Sequence, residues 1–193
     1  MNLRDVRKKI KTVKNVKKIT NAMQMVSAVK MKKAQAIALE GREYREILDT
    51  VLRKIISKTP DVKDLNIPWL LPTEGSKTLY ILVTSNKGLC GAFHSNLFKF
   101  CMTHIDKDTA EFVTIGQKGA EFASIFDGDV LADFSDQVPF VDHVSPLFSL
   151  IAEKYLSGEY KEVHVVYNKF ISSFQNKPTM ERLLPVVEIV SEE

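Results

Sequence analysis

Residues 3–58, LRDVRKKIKTVKNVKKITNAMQMVSAVKMKKAQAIALEGREYREILDTVLRKIISK, hold no Pro and a single Gly, Gly41. That one Gly costs about 1 kcal/mol relative to Ala. Lys, Arg, Gln, Met, Leu, Ala and Glu, all good helix formers, fill most of the rest, so the stretch predicts one uninterrupted helix. Such a helix reaches roughly 80 Å at 1.5 Å per residue. It is too long to fold back on the remaining residues, and much of it is expected to project.

Apolar residues recur along it at Leu3, Val6, Ile10, Val13, Val16, Ile19, Met23 and Val26, in steps of 3-4-3-3-3-4-3. This is a heptad-like seam with an extra three-residue step near Val16, which overwinds a coiled coil locally. The seam blurs over residues 27–36, where Ala28, Ala34 and Ala36 offer a thin surface, and resumes at Ile37, Gly41, Tyr44, Leu48, Val51 and Ile55. Left in water, each large side chain forfeits on the order of 1.5–3 kcal/mol. A second helix is the expected cover for residues 3–26, and either that helix or the chain's own body for residues 44–58.

Charge is divided as sharply as shape. Residues 1–33 carry eleven Lys and Arg against one acid, Asp5, so the net +3 of the chain separates into +10 there and −7 in the rest. A basic helix suggests nucleic acid, with a steeply salt-dependent affinity. Yet the first aromatic is Tyr44, so no stacking residue stands among those charges. A membrane-surface helix normally carries Trp or Phe on its apolar face, and none is present there. No run of 18 apolar residues and no signal-peptide core is visible. The Arg- and Lys-rich start has the charge of a transit peptide, but the regular seam running through it favours a permanent helix.

Residues 59–76, with Thr59, Pro60, Pro68, Pro72 and Gly75, read as a linker, Ile67 and Trp69 being expected to tuck onto the body. From residue 77 to 193 the pattern becomes that of an open α/β domain. Strands are expected at Thr78–Val83, Glu111–Ile115, Val130–Phe134 and Val163–Ile171, with Met180–Val187 returning antiparallel at an edge after a turn at Pro178. Helices are expected from Phe93 through Leu97 and Cys101, over Gln117–Phe126, and from a Ser145 N-cap with Pro146 through Tyr155 to Gly158. The fold class is therefore α/β: a long N-terminal coiled-coil helix over 1–58 and a Rossmann-like domain.

Sites of chemistry are sparse. Gly88-Leu89-Cys90-Gly91 sits between a strand and a helix, where backbone amides favour anions. It lacks both the third Gly of a dinucleotide fingerprint and the Gly-Lys-Ser/Thr ending of a phosphate loop, so a tight turn is the simpler reading. Cys90 with His94 resembles a nucleophile pair without a third orienting group. His104, His143 and His164 are scattered. Asp127, Asp129, Asp133 and Asp136 lack calcium-ligand spacing and read as a solvated loop. Cys90 and Cys101 have neither metal nor redox spacing and are expected as free thiols.

Two stretches carry a family resemblance. Ile19-Thr20-Asn21-Ala22-Met23-Gln24-Met25-Val26-Ser27-Ala28-Val29-Lys30-Met31-Lys32-Lys33-Ala34-Gln35 resembles the N-terminal helix of the gamma subunit of F-type ATP synthase. Thr84-Ser85-Asn86-Lys87-Gly88-Leu89-Cys90-Gly91-Ala92-Phe93, followed by Asn96-Leu97-Phe98-Lys99, resembles the same family's strand-turn-helix signature. Asn86-Lys87 stands where Asp-Arg is common, and Ala92-Phe93-His94 where Gly-Leu-Asn is common.

The resemblance implies a non-catalytic central-stalk rotor subunit without cofactor or metal, coupling proton- or sodium-driven rotation of the c-ring to the catalytic beta subunits. It implies a helix paired antiparallel with a long C-terminal helix, which would follow Leu183-Leu184-Pro185 after a linker and is missing from these 193 residues. The chain would then be a fragment, a shortened paralogue, or one completed by a second chain. The implied partners are the alpha and beta subunits of the catalytic ring, the epsilon subunit, the c-ring and that missing helix. Ile10, Val13, Ile19, Met23 and Val26 would form the interface, with Met23 and the basic Lys18, Lys30 and Lys33 facing the ring. An untargeted start implies a peripheral place on the cytoplasmic face of a bacterial cell membrane.

Replacing both Ile10 and Val13 by Asp is expected to abolish assembly with the partner helix while the α/β domain stays folded. Co-purification and circular dichroism of the double variant check this, and assembly that survives both substitutions removes the coiled-coil reading of this segment.

Overall fold

The computed structural model describes residues 2–59, 67–136, 144–172 and 174–186. Pro60, His143 and Val187, named above, lie outside them. The chain forms two units, Met1–Lys58 and Thr59–Glu193. The first is one helix, α1 (Leu3–Lys58), 56 residues long and without a buried residue. Gly41 lies inside it unbroken, since one Gly is a small penalty spread over so many good formers.

The second unit is a five-stranded sheet with helices on both faces: β1 (Lys77–Val83), α2 (Phe93–His104), β2 (Ala110–Ile115), α3 (Gln117–Phe126), β3 (Asp129–Asp133), α4 (Val144–Leu156), β4 (Tyr160–Ser172) and β5 (Gln175–Leu184). The strand order is β3-β2-β1-β4-β5. All pairs are parallel except β4 with β5, the antiparallel edge. The expected α/β class is found.

Alternation along β1 builds the two cores. Tyr80 and Leu82 meet Leu97 and Cys101 of α2 and Phe122, Ala123 and Phe126 of α3 on one face. Leu79 and Ile81 meet Leu147, Ile151 and Tyr155 of α4 on the other. β2 is buried at all six positions, as a central strand covered on both faces must be. The Cys101 thiol is pushed up to about 12 by burial. Both cysteines are free, Cys90 exposed and Cys101 buried.

Of the stretch read as a linker, residues 67–76 pack on this unit. Trp69 stacks on Phe148 of α4 at 5.9 Å, Leu70 is buried and the Leu71 carbonyl accepts from Tyr155 Oη at 2.8 Å. Ile67 stays exposed.

Three local expectations are corrected. Pro178 is not a turn but lies within β5, opposite Asn168. Because β5 is an edge strand, a residue without an N–H is tolerated there. Ser145 lies inside α4 rather than capping it, leaving Pro146 in the first described turn, where its missing N–H loses nothing. The acidic stretch is exposed as expected but is only partly a loop: Asp127 closes α3 in the left-handed region, and Asp129 and Asp133 bound β3.

Two polar clusters inside the unit are built on strands β1, β2, β4 and β5. Glu111 is buried and accepts from Tyr160 Oη at 2.8 Å and Lys77 Nζ at 3.2 Å. Burial, and then the hydrogen bond to Glu111, raise the Tyr160 phenol above its ordinary range. On β4, Glu162 meets His164 Nε2 at 2.8 Å with Arg182 of β5 at 3.9 Å. Burial alone would raise the Glu162 carboxyl, but the His164 hydrogen bond and the Arg182 charge outweigh it and hold it below its ordinary value.

Two outcomes are expected. Gly116 has φ +92, and a Cβ there would meet the Thr84 carbonyl oxygen at 2.5 Å. Gly116→Ala should therefore lower the unfolding free energy by about 2 kcal/mol or more, read from urea melts. A carboxyl held below its ordinary value stabilises the folded state above that value and loses the contribution as pH falls through the lowered one. The urea midpoint should accordingly drop below pH about 4.5, and Glu162→Gln should make that drop shallower.

Candidate functional site

Unbroken α1 sets where its side chains point. At about 100° per residue, Ile19, Met23 and Val26 fall within one stripe, and Lys30 and Lys33 fall on the same stripe. Lys18, next to Ile19 in sequence, stands about 100° round the helix from it. Ile10 and Val13 do not share that stripe. Nine residues separate Ile10 from Ile19, two and a half turns, so in a straight helix the two stand on opposite sides, about 180° apart.

All the candidate apolar residues are uncovered: Ile10 is 49 %, Val13 67 %, Ile19 61 %, Met23 65 % and Val26 56 % exposed. Lys18, Lys30 and Lys33 are exposed as well. Polar side chains off the stripe turn back onto their own helix, as Thr12 does to the Lys8 carbonyl at 3.1 Å and Thr20 to the Val16 carbonyl at 2.8 Å. Their hydroxyls are satisfied locally. What α1 offers a partner is its apolar stripe and its basic groups.

The Thr84–Gly91 loop, at the carboxyl end of β1, occupies the place where strand order reverses between β1 and β4. In open α/β sheets that is where ligands tend to bind. Here its polar groups turn inward to join neighbouring strand ends. Thr84 Oγ1 lies 3.1 Å from the Ile115 carbonyl and 3.0 Å from that of Gly116, and accepts from the Gly119 amide at 2.8 Å. Asn86 bridges further: Nδ2 donates to the Ser135 carbonyl at 2.8 Å and Oδ1 accepts from the Gln117 amide at 2.9 Å. One side chain thus ties the β1 loop to the start of α3 and to the segment after β3. Asp133, just before Ser135, accepts from Thr114 Oγ1 at 2.8 Å and from the Ser135 amide at 3.0 Å. Burial would raise its carboxyl, and the hydrogen bonds from Ser135 and Thr114 hold it below its ordinary value instead.

The Cys90–His94 pairing is not made. His94 is buried and its Nε2 lies 2.9 Å from Ser85 Oγ. Since Ser85 Oγ donates its one proton to the Lys87 carbonyl at 2.7 Å, His94 must donate from Nε2. Cys90 remains at the surface beside Leu89, which is fully exposed with φ +59. Sequence reasoning missed the roles of Thr84, Ser85 and Asn86. The only available signal was three hydrogen-bonding residues directly after a buried strand.

Among the described residues, no group of three or more His, Cys, Asp or Glu could hold a metal ion, and no helix is long and apolar enough to cross a membrane. A family model described as ATP synthase matches residues 2–193. The ATP synthase gamma chain of Psychrobacter cryohalolentis is 34% identical over 195 residues, covering 97% of this chain and 65% of the relative. That of Opitutus terrae is 36% identical over 185 residues, covering 95% and 61%. The chain thus spans a little under two thirds of the curated relatives it matches.

Among solved structures, a chain of the Euglena gracilis mitochondrial ATP synthase (OSCP/F1/c-ring, rotational state 3) shares the fold with TM-score 0.55 at 18% identity, over 98% of this chain and 59% of that one. A central stalk/c-ring chain of the Tetrahymena thermophila enzyme gives TM-score 0.53 at 24% identity, over 86% and 72%. These likenesses lend nothing to a nucleic-acid reading of the basic helix. With a family model over residues 2–193 and gamma-chain relatives along nearly all of it, the chain belongs to the ATP synthase gamma-chain family.

Proposed function

We propose that this chain is the central-stalk rotor of an F-type ATP synthase, a part that carries out no bond chemistry itself. The observation that carries the reading is α1: 56 helical residues with no buried side chain and an apolar stripe along them. A helix so exposed is half of an object. The proposed other half is a long helix antiparallel to α1, pairing through Ile10, Val13, Ile19, Met23 and Val26.

In this reading the paired helices form the shaft inside a ring of alpha and beta subunits. Lys18, off the stripe, lies toward the ring, Lys30 and Lys33 continue the stripe of Met23 and Val26 that meets the second helix, and residues 77–193 form the foot beside the epsilon subunit and the c-ring. Ion flow through the c-ring turns the foot, and the asymmetric shaft carries each beta subunit through different nucleotide affinities. The internal stitching of the Thr84–Gly91 loop suits a foot that must transmit force without deforming, because its strand ends are cross-tied rather than free. The complex would lie peripherally on the cytoplasmic face of a bacterial membrane.

The test uses the full-length chain assembled with its alpha and beta subunits, the ring fixed to a surface and a bead attached through Cys90. Stepwise rotation in one direction on adding ATP is expected. A chain that does not assemble with the ring, or a ring that hydrolyses ATP while the bead stays still, rejects the rotor reading.

A further inference from the structure

The residues of a helix that face a single partner recur in alternating steps of three and four. In unbroken α1 that alternation runs without a slip through Val16, Ile19, Met23, Val26, Lys30, Lys33 and Ile37. The stretch where the apolar pattern blurs is therefore in register. Two lysines stand at consecutive seam positions, where the flanking heptads carry Met23 and Val26 before them and Ile37 after.

Nothing on α1 answers those two charges. A side chain on a helix reaches partners three or four residues away, which for Lys30 and Lys33 means residues 26–37, and that span contains no acid. The nearest acids along the helix are Glu40 and, far behind, Asp5. The positions beside the two lysines toward a partner are Ser27, Val29, Ala34 and Ala36, small or apolar and unable to accept an ammonium proton through a charge. Lys30 and Lys33, three residues apart on one face, also repel each other. Covering such a pair with an apolar helix would strand two charges, which is strongly unfavourable.

We infer that the helix packing on α1 presents carboxylates at the level of Lys30 and Lys33, so that one charged heptad interrupts an apolar seam and sets its register. This rests on the shaft reading proposed above. Charged groups at seam positions weaken pairing relative to apolar ones but penalise every slipped alignment. A slip by one heptad would leave both lysines against apolar side chains and both carboxylates against Met23 and Val26 or Ile37.

Zero-length carbodiimide coupling of the assembled complex, containing the full-length chain, tests this directly, since it joins only amines and carboxylates in contact. Amide links from Lys30 or Lys33 to Asp or Glu of a helical segment are expected. Links from them only to loops of other subunits, or none while other ion pairs couple, overturn the inference. The double variant Lys30→Leu/Lys33→Leu should lower assembly on the order of tenfold, by stranding the opposing carboxylates, and Lys30→Arg/Lys33→Arg should retain it. Leucines that assemble as well as lysines, or better, also overturn it, because lysines that merely reach into water would give that result. Val26→Asp disrupts an apolar seam whatever the charges opposite Lys30 and Lys33. If Val26→Asp assembles normally, the shaft reading itself fails, separately from the charged heptad.

Discussion

A single helix cannot cover its own apolar stripe, and that constraint governs everything said of α1. Between its ends its backbone hydrogen bonds are met within the helix and its threonine hydroxyls turn back on carbonyls one turn away, so those groups ask nothing of the surroundings. The stripe does. Each exposed Val, Ile or Met along it leaves on the order of 1.5–3 kcal/mol unrealised. Helix propensity alone rarely holds a long helix in water without tertiary packing. The stability of α1 thus belongs to whatever packs on it.

The α/β unit is built on the opposite terms. Its sheet is covered on both faces, β2 is buried throughout, and the loop ends at the reversal of strand order are joined by Thr84, Asn86 and Asp133. Even the segment after residue 66 is used as packing, through Trp69 and Leu70. The chemistry-prone position of an open α/β sheet is occupied by a brace. That is consistent with a family whose gamma chain is a subunit of a larger complex, and it explains why Gly88 and Gly91 look like a phosphate loop without being built as one.

Much of this was legible in the residues. The absence of Pro up to residue 60 and a lone Gly marked the run of α1, and alternation or continuous apolarity marked the strands. Pro178 was misread because a proline signals a turn unless the strand lies at an edge, and edge position is a tertiary fact. The brace of the signature loop was illegible because its bonds join residues tens of positions apart, as Asn86 does with Gln117 and Ser135. The continuity of the α1 seam was hidden for another reason. Counting apolar residues alone loses the register wherever a lysine takes a seam position.

The three-residue steps through Val13, Val16 and Ile19 have a mechanical meaning of their own. They carry the apolar stripe about half the circumference round the helix, from the side of Ile10 to the side of Ile19. A straight rod laid along α1 can therefore lie against one portion or the other, but not both. Anything that grips both portions at once must cross over the helix between them. Such a grip works like a key in a bent keyway: it resists axial creep and relative twist together, because neither can occur without lifting one apolar patch off its seat.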